Sequence, residues 1–239
     1  MKDYYAVKEQ LLGLGVPESM IMPATGWQKV QYMEDELDEF FVVDKHIISF
    51  EKRPIKGNLP SGEETGKAHA RRQREGFFDK YCNGEGLDIG CASDPLTPTC
   101  SGWELSNGDA QYLRGIEDES FDFVYSSHCL EHMRDVRIAL KNWFRVVRRG
   151  GTLILYIPHR NLYEKIKTLP SKWNIDHKHM FLIGEVEAPD TLDIVEEIRE
   201  SLTGYDILYI KKCDEGHTIE NTDVHSDGEY SIEIVIKKL

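Results

Sequence analysis

Apolar residues recur along this chain with two different periods, and the change of period divides it. Near the start, Tyr4, Val7, Leu11 and Leu12 fall at helical spacing, and the run stops at Gly13-Leu-Gly15. An acidic helical stretch is predicted over Met33–Phe41, with the β-rich His46-Ile-Ile-Ser-Phe50 after it. Asn58-Leu-Pro-Ser-Gly62 gathers turn formers and marks a boundary between an N-terminal extension, 1–60, and a second domain, 61–239. From Glu63 strands and helices alternate. A basic helix, Thr65 to about Cys82, leads into a strand at Leu87–Gly90. A strand at Asp122–Ser126 precedes a helix from about Arg134 to Val147, whose Ile138, Trp143, Val146 and Val147 suit a core-facing stripe. Thr152–Ile157 is nearly all apolar, as a strand covered on both faces is. A helix over Thr191–Leu202 and strands at Asp206–Lys211 and Tyr230–Ile236 complete the pattern. Such alternation predicts an α/β fold, a mostly parallel sheet with helices on both sides.

Composition narrows the chemistry. A chain of 239 residues can bury one sizeable core beside an extension. With 42 acidic against 29 basic residues the formal charge is -13, a field that repels phosphate backbones, so nucleic acid is not expected as a partner. Five scattered cysteines with no C-x-x-C pair fit reduced thiols better than a disulfide framework or a structural zinc site. Met1-Lys-Asp-Tyr-Tyr opens no signal-like apolar run, and no stretch is long enough to span a bilayer; a soluble, cytoplasmic protein with no membrane partner is expected.

Three segments carry the candidate chemistry. Gly86-Leu-Asp-Ile-Gly-Cys-Ala-Ser-Asp-Pro95 reads as a buried strand ending in a tight turn that holds an acid and a glycine. Phe121-Asp-Phe-Val-Tyr-Ser-Ser-His-Cys-Leu-Glu-His132 follows, and then Val146-Val-Arg-Arg-Gly-Gly-Thr-Leu-Ile-Leu-Tyr-Ile-Pro158. A glycine turn alone is shared by many nucleotide-binding folds. The three together, in this order, resemble the class I S-adenosylmethionine (SAM)-dependent methyltransferases, with a looser likeness to small bacterial members linked to surface-polysaccharide pathways. The resemblance covers roughly Gly66 to Pro158 and implies a Rossmann-like methyltransferase fold with an antiparallel last strand. The rival reading, an NAD site, needs the spacing G-x-G-x-x-G, and here the second and third glycines are missing.

By this resemblance SAM is the cofactor. Asp88 would help hold its methionine amino group, Gly90 would let the backbone pass close, and Ala92 and Asp94 occupy the places of further family glycines. Glu104 would accept the ribose hydroxyls, and Asp109 with Ala110 would meet the adenine. The interval from Glu104 to Asp109 leaves no room for the usual helix, so this edge of the sheet is expected to be abbreviated. Ser126 would border the site, and Arg71 or Arg74 of the basic helix would meet the SAM carboxylate. The remaining basic residues, with Lys52 and Arg53, could receive a phosphorylated acceptor; a solvated helix face is the plainer alternative.

On the acceptor side, His128 leaves a strand that should end at the cofactor's methyl end and is the expected general base. Glu131 and His132 could cap or orient the next helix. His159 and the run Trp173-Asn-Ile-Asp-His-Lys-His-Met-Phe181 supply further candidates: Asp176, His177 and His179. Asp176, His177 and His179 could bind zinc or another divalent ion. No further ligand is evident at matching spacing, so no metal is expected. The function implied is methylation of a small polar acceptor: a sugar, sugar nucleotide or phosphate-bearing intermediate of bacterial surface-glycan biosynthesis. Methylation of a protein or tRNA, or a non-catalytic SAM-binding regulator, are the alternatives.

Overall fold

The computed structural model describes residue 52 and residues 64–239, Ser93 excepted. The helices expected around Tyr4–Leu12 and Met33–Phe41, the strand at His46–Phe50 and the boundary at residues 58–62 lie outside the described residues.

The basic helix expected from Thr65 is three short helices: α1 (Glu64–Lys67), α2 (His69–Arg74) and α3 (Phe77–Tyr81). Gly76, with a left-handed φ of 63°, separates the last two. Then come β1 (Gly86–Ile89), β2 (Cys100–Trp103), a 3-10 turn at Leu105–Asn107, β3 (Phe121–Ser127) and a second 3-10 turn at Leu130–His132. Helix α4 (Val136–Arg145) leads to β4 (Val147–Pro158), followed by β5 (Met180–Leu182), β6 (Thr191–Asp193), α5 (Ile194–Ser201), β7 (Tyr205–Cys213) and β8 (Ser231–Lys238). The helix predicted from Thr191 starts three residues late because Thr191–Asp193 pairs with β5. Asp193 then caps α5, accepting from the Val195 amide at 3.0 Å.

Among the described residues, six strands make one sheet in the order β2-β1-β3-β4-β8-β7. The β2–β1, β1–β3 and β3–β4 pairs are parallel. The last strand, β8, inserts between β4 and β7, antiparallel to both. The connection from β2 to β3 holds a 3-10 turn and no α-helix, as the short Glu104–Asp109 interval leads one to expect, and β2 is an edge strand among the described residues. The fold is α/β and Rossmann-like.

Both faces of the sheet are covered. On one, Leu87, Ile89, Val124, Leu153 and Leu155 pack with Leu140 and Trp143 of α4 and Ile194 and Ile198 of α5. On the other, Phe123, Tyr125, Ile154, Tyr156 and Val235 pack with Ala68 and Phe77. Each such large side chain, fully buried, contributes about 1.5–3 kcal/mol. On α4, Ala139, Leu140 and Trp143 face the core, and Ile138 is half-buried rather than central to the stripe. Gly151, of the Arg-Arg-Gly-Gly segment, lies so close to β3 that a Cβ there would stand 2.3 Å from the Asp122 carbonyl oxygen. All five cysteines are free thiols, Cys91, Cys100 and Cys213 buried, Cys82 and Cys129 half-buried. No described helix is long and apolar enough to cross a membrane.

Candidate functional site

Parallel strands of an open α/β sheet present their carboxyl ends to ligand. At that edge β1 runs into Gly90, whose φ of 73° is left-handed. A Cβ on Gly90 would lie 3.0 Å from the Cys129 sulfur, so the turn passes directly under the segment leaving β3. Ala92 is also left-handed, at φ 47°. Asp88 is fully buried; its Oδ2 accepts from the Leu96 amide at 2.7 Å, while Oδ1 has no hydrogen-bond partner. Burial pushes its carboxyl up to about 8. Asp94, where the family has glycine, accepts from the Gly66 amide at 3.0 Å and ties the loop to α1. From the end of β2, Glu104 Oε1 accepts from the Ala92 amide at 2.6 Å and from the Cys91 thiol at 3.2 Å. Asp109 follows, accepting from the Gln111 amide at 2.7 Å, and the Ala110 carbonyl accepts from the Trp143 indole at 2.8 Å. The structure thus brings Asp88, Gly90, Ala92 and Glu104 to one turn.

Two groups of expected cofactor residues are employed otherwise. Ser126 is buried and donates to the Ile89 carbonyl at 3.2 Å, tying β3 to β1. Arg71 is buried and spends its donors on Glu229, Glu233 and Glu75, at 2.8–3.3 Å. An arginine has no donors beyond these to offer a SAM carboxylate. Arg72 is fully buried against Glu233 at 2.7 Å and against the Tyr125 hydroxyl at 3.1 Å. Burial would lower both guanidinium pKa values, yet the glutamates, with the Tyr125 ring facing Arg72, hold them above the usual arginine value. In turn, burial opposes the Glu233 charge, but Arg72 and Arg71 hold its carboxyl down at about 2. Arg74 is exposed and pairs with Glu215 at 2.5 Å. Two arginines of the basic helix, Arg71 and Arg72, are therefore buried structural ions, while Ala70, Gln73 and Arg74 form its solvated face.

Beyond β3 lies a second group. His128 adopts a left-handed φ of 46°, and its Nε2 lies 2.8 Å from Ser231 Oγ. The rings of Tyr156, Tyr163 and Tyr230 stand 5.9, 5.7 and 5.7 Å away. Burial lowers the His128 pKa to about 4, so it is neutral at pH 7 and titrates below the histidine range that a general base would use. His177 is buried, stacked on Tyr163 at 5.4 Å, with Nδ1 2.5 Å from Glu164 Oε1. Burial opposes its charge, but Glu164 and Glu131 raise its pKa above the ordinary value.

Asp176 Oδ2 lies 3.0 Å from His132 Nδ1. His179 turns away, its Nε2 3.3 Å from the Arg134 carbonyl, and burial lowers its pKa. His159 is buried beside Lys212 and Arg160, with Nδ1 lacking a hydrogen-bond partner; burial lowers its pKa to about 4. Asp176, His177 and His179 therefore do not converge on one point.

The convergence is on Glu131, for which capping or orienting the next helix is one expectation from sequence. Asp135, not Glu131, caps α4, accepting from the Ile138 amide at 2.9 Å. Glu131 is fully buried, and neither carboxylate oxygen has a hydrogen-bond partner. Around its Oε1 stand His177 Nε2 at 3.7 Å, His132 Nε2 at 3.9 Å and His128 Nδ1 at 3.9 Å. The Glu131 carbonyl accepts from the amides of Lys178 and His179 at 2.8 and 3.2 Å, which staples the long connection after β4 onto the turn after β3. The Leu-Glu-His motif signalled Glu131 and His132; no sequence feature signalled Glu164, Tyr163 or Ser231. A cleft of about 420 Å³ lined by Lys52, Glu117, Phe121 and Arg148 lies at the opposite ends of the strands and holds none of these groups.

Residues 92–155 match the family model described as a methyltransferase domain. No curated protein matches the chain. Among solved structures, the chain is similar to a SAM-dependent methyltransferase, a possible histamine N-methyltransferase, from Thermotoga maritima. That pair shares 16% identity, with 72% of this chain and 99% of that one covered and a TM-score of 0.42. A putative SAM-dependent methyltransferase from Listeria monocytogenes is similar at 10% identity, 74% and 100% coverage and a TM-score of 0.44. A SAM-dependent methyltransferase from Archaeoglobus fulgidus is similar at 13% identity, 73% and 94% coverage and a TM-score of 0.43. The segment matched by the family model, set in a Rossmann-like sheet, marks a methyltransferase domain with SAM as its cofactor.

Proposed function

We propose that the protein transfers the methyl group of SAM to a hydroxyl of a small, uncharged polar acceptor of the sugar class. Methyl transfer is an in-line displacement at a sulfonium carbon, and the enzyme's task is to align the acceptor oxygen and ease loss of its proton. The observation that carries the reading is the wall beyond β3: three tyrosine rings around His128, with Glu131 and Glu164 buried behind them. The arginines of α2 that could have received phosphate, Arg71 and Arg72, are already paired. A neutral polyol suits such a wall, its hydroxyls meeting histidine and tyrosine and its C–H faces meeting the rings. A place in surface-glycan synthesis rests on the sequence resemblance alone.

The cofactor half of this reading is tested by calorimetry, where S-adenosylhomocysteine (SAH) is expected to bind and NAD not to. For the acceptor half, purified enzyme and SAM are offered neutral glycosides, glycosyl phosphates, proteins and tRNA, with the methylated product found by mass spectrometry. O-Methylated neutral glycoside is expected. Product from tRNA or protein alone, or turnover that needs the acceptor's phosphate, would overturn the proposed acceptor class.

A further inference from the structure

We propose that Glu131, His132 and His177 bind a divalent transition-metal ion of zinc character, with His128 beside the position the protein leaves open. One ligand atom from each of the three residues lies within 4.8 Å of the others. A tetrahedral ion with bonds of about 2.0–2.1 Å holds its ligands about 3.3 Å apart. His177 Nε2 and His132 Nε2, at 3.7 and 3.9 Å from Glu131 Oε1, need to close by only a few tenths of an ångström on that side.

Two independent observations point to a cation. The first is the condition of Glu131, fully buried with neither oxygen hydrogen-bonded. A buried carboxylate left so costs several kcal/mol, and a cation at its oxygens removes that cost. The second is the set of groups behind the histidines. His177 Nδ1 lies 2.5 Å from Glu164, and His132 Nδ1 lies 3.0 Å from Asp176. A carboxylate on Nδ1 favours the tautomer protonated there and raises the basicity of Nε2, the arrangement that orients metal-binding imidazoles. His128 follows the same plan, with Ser231 on Nε2 and Nδ1 turned to the Glu131 oxygen at 3.9 Å.

Donor chemistry selects the ion. Two imidazoles and one carboxylate suit zinc, cobalt, manganese or iron, whereas magnesium prefers an all-oxygen shell. Three protein ligands leave a coordination position for water or an acceptor oxygen. The cluster sits next to the cofactor turn, since Cys129, which touches Gly90, lies between His128 and Glu131. Asp176 and His179, neighbours of His177 in sequence, point elsewhere, and the fold sets Glu131 and His132 beside His177 in their place. Metal binding goes beyond the methyl-transfer reading and is measured without any acceptor.

Tag-free protein is stripped with a chelator and titrated with Zn²⁺ and then Co²⁺, by calorimetry and visible absorption. One equivalent is expected to bind at or below micromolar concentration, with the visible bands of nitrogen- and oxygen-ligated cobalt, and millimolar Mg²⁺ is not expected to compete. Glu131→Gln and His132→Ala should lose this equivalent, with circular dichroism and Tm confirming the fold. Should either fail to fold, Glu164→Gln, which keeps every ligand, should still weaken binding by roughly 10–100-fold. Folded wild-type protein that takes up no equivalent of Zn²⁺ or Co²⁺ would overturn the proposal. So would an equivalent that binds equally well in His132→Ala and Glu164→Gln, or one that Mg²⁺ displaces.

Discussion

Glu104 reaches the Gly90–Ala92 turn from the neighbouring strand, and one of its oxygens already holds the Ala92 amide. A carboxylate accepts at several lone-pair sites, which leaves capacity for a ribose diol. Glu104→Ala should therefore lower SAH affinity about tenfold or more, the loss of roughly 1.5–3 kcal/mol of charge-assisted hydrogen bonding. Calorimetry on the folded variant measures it, and an unchanged Kd would place that carboxylate outside the ribose site. Asp88 carries a different prediction. With its pKa pushed up to about 8 by burial, it keeps its proton at pH 7 until a cation arrives. The methionine ammonium calls for the ionised form, so binding should release a proton. SAH affinity should then rise up to about tenfold per pH unit from pH 6 towards 8. Calorimetry in buffers of different ionisation enthalpy counts that proton, and a count of zero would contradict the assignment.

At the scale of elements, β8 is more than the antiparallel last strand that the resemblance implied. It carries Glu233 into contact with Arg71 and Arg72 of α2, locking helix to sheet through a fully buried network. Glu233→Ala leaves the fully buried Arg72 without its carboxylate, while Arg71 keeps Glu229 and Glu75, so it should destabilise the fold by about 3–5 kcal/mol, read from denaturant midpoints. A loss under about 1 kcal/mol would mean that water screens the network. The strands themselves were legible because Thr152–Ile157 is a nearly apolar run after Gly150-Gly151, and Leu87-Asp-Ile-Gly90 is a short stretch that ends in a glycine turn. The role of the basic helix was not. Lys67-Ala-His-Ala-Arg-Arg-Gln-Arg74 looks solvated until Glu229 and Glu233 arrive from the far end of the chain. The site divides the same way. The turn at Gly90 is legible in its local motif and Glu104 in the resemblance that motif carries, whereas the meeting of Glu131 with His177 depends on how the connection after β4 folds back.

For the whole molecule, pH acts on stability through a histidine that the candidate site does not use. Burial holds the His159 pKa at about 4 in the fold, against an ordinary value of 6.5. The folded state thus favours the neutral ring, and the stabilisation is complete above 6.5 and lost as pH falls towards 4. Between pH 7 and 5 the loss is about 2 kcal/mol. Denaturant titrations at the two pH values should show it, and His159→Gln should flatten the difference. An equal slope in both proteins would assign the acid sensitivity to other groups.

The burial of the thiols has a practical side. Burial raises the pKa of Cys82, Cys91, Cys100, Cys129 and Cys213 alike, so little thiolate forms near neutral pH. A chromogenic disulfide reagent should react slowly with the native protein and count all five sulfurs once it is denatured. The native sulfurs then form a silent background for spectroscopy. A single cysteine placed at an exposed position such as Ile175, in the connection after β4, would take a fluorophore or spin label without removing any of the five. Such a probe would report the approach of an acceptor on an otherwise unaltered chain.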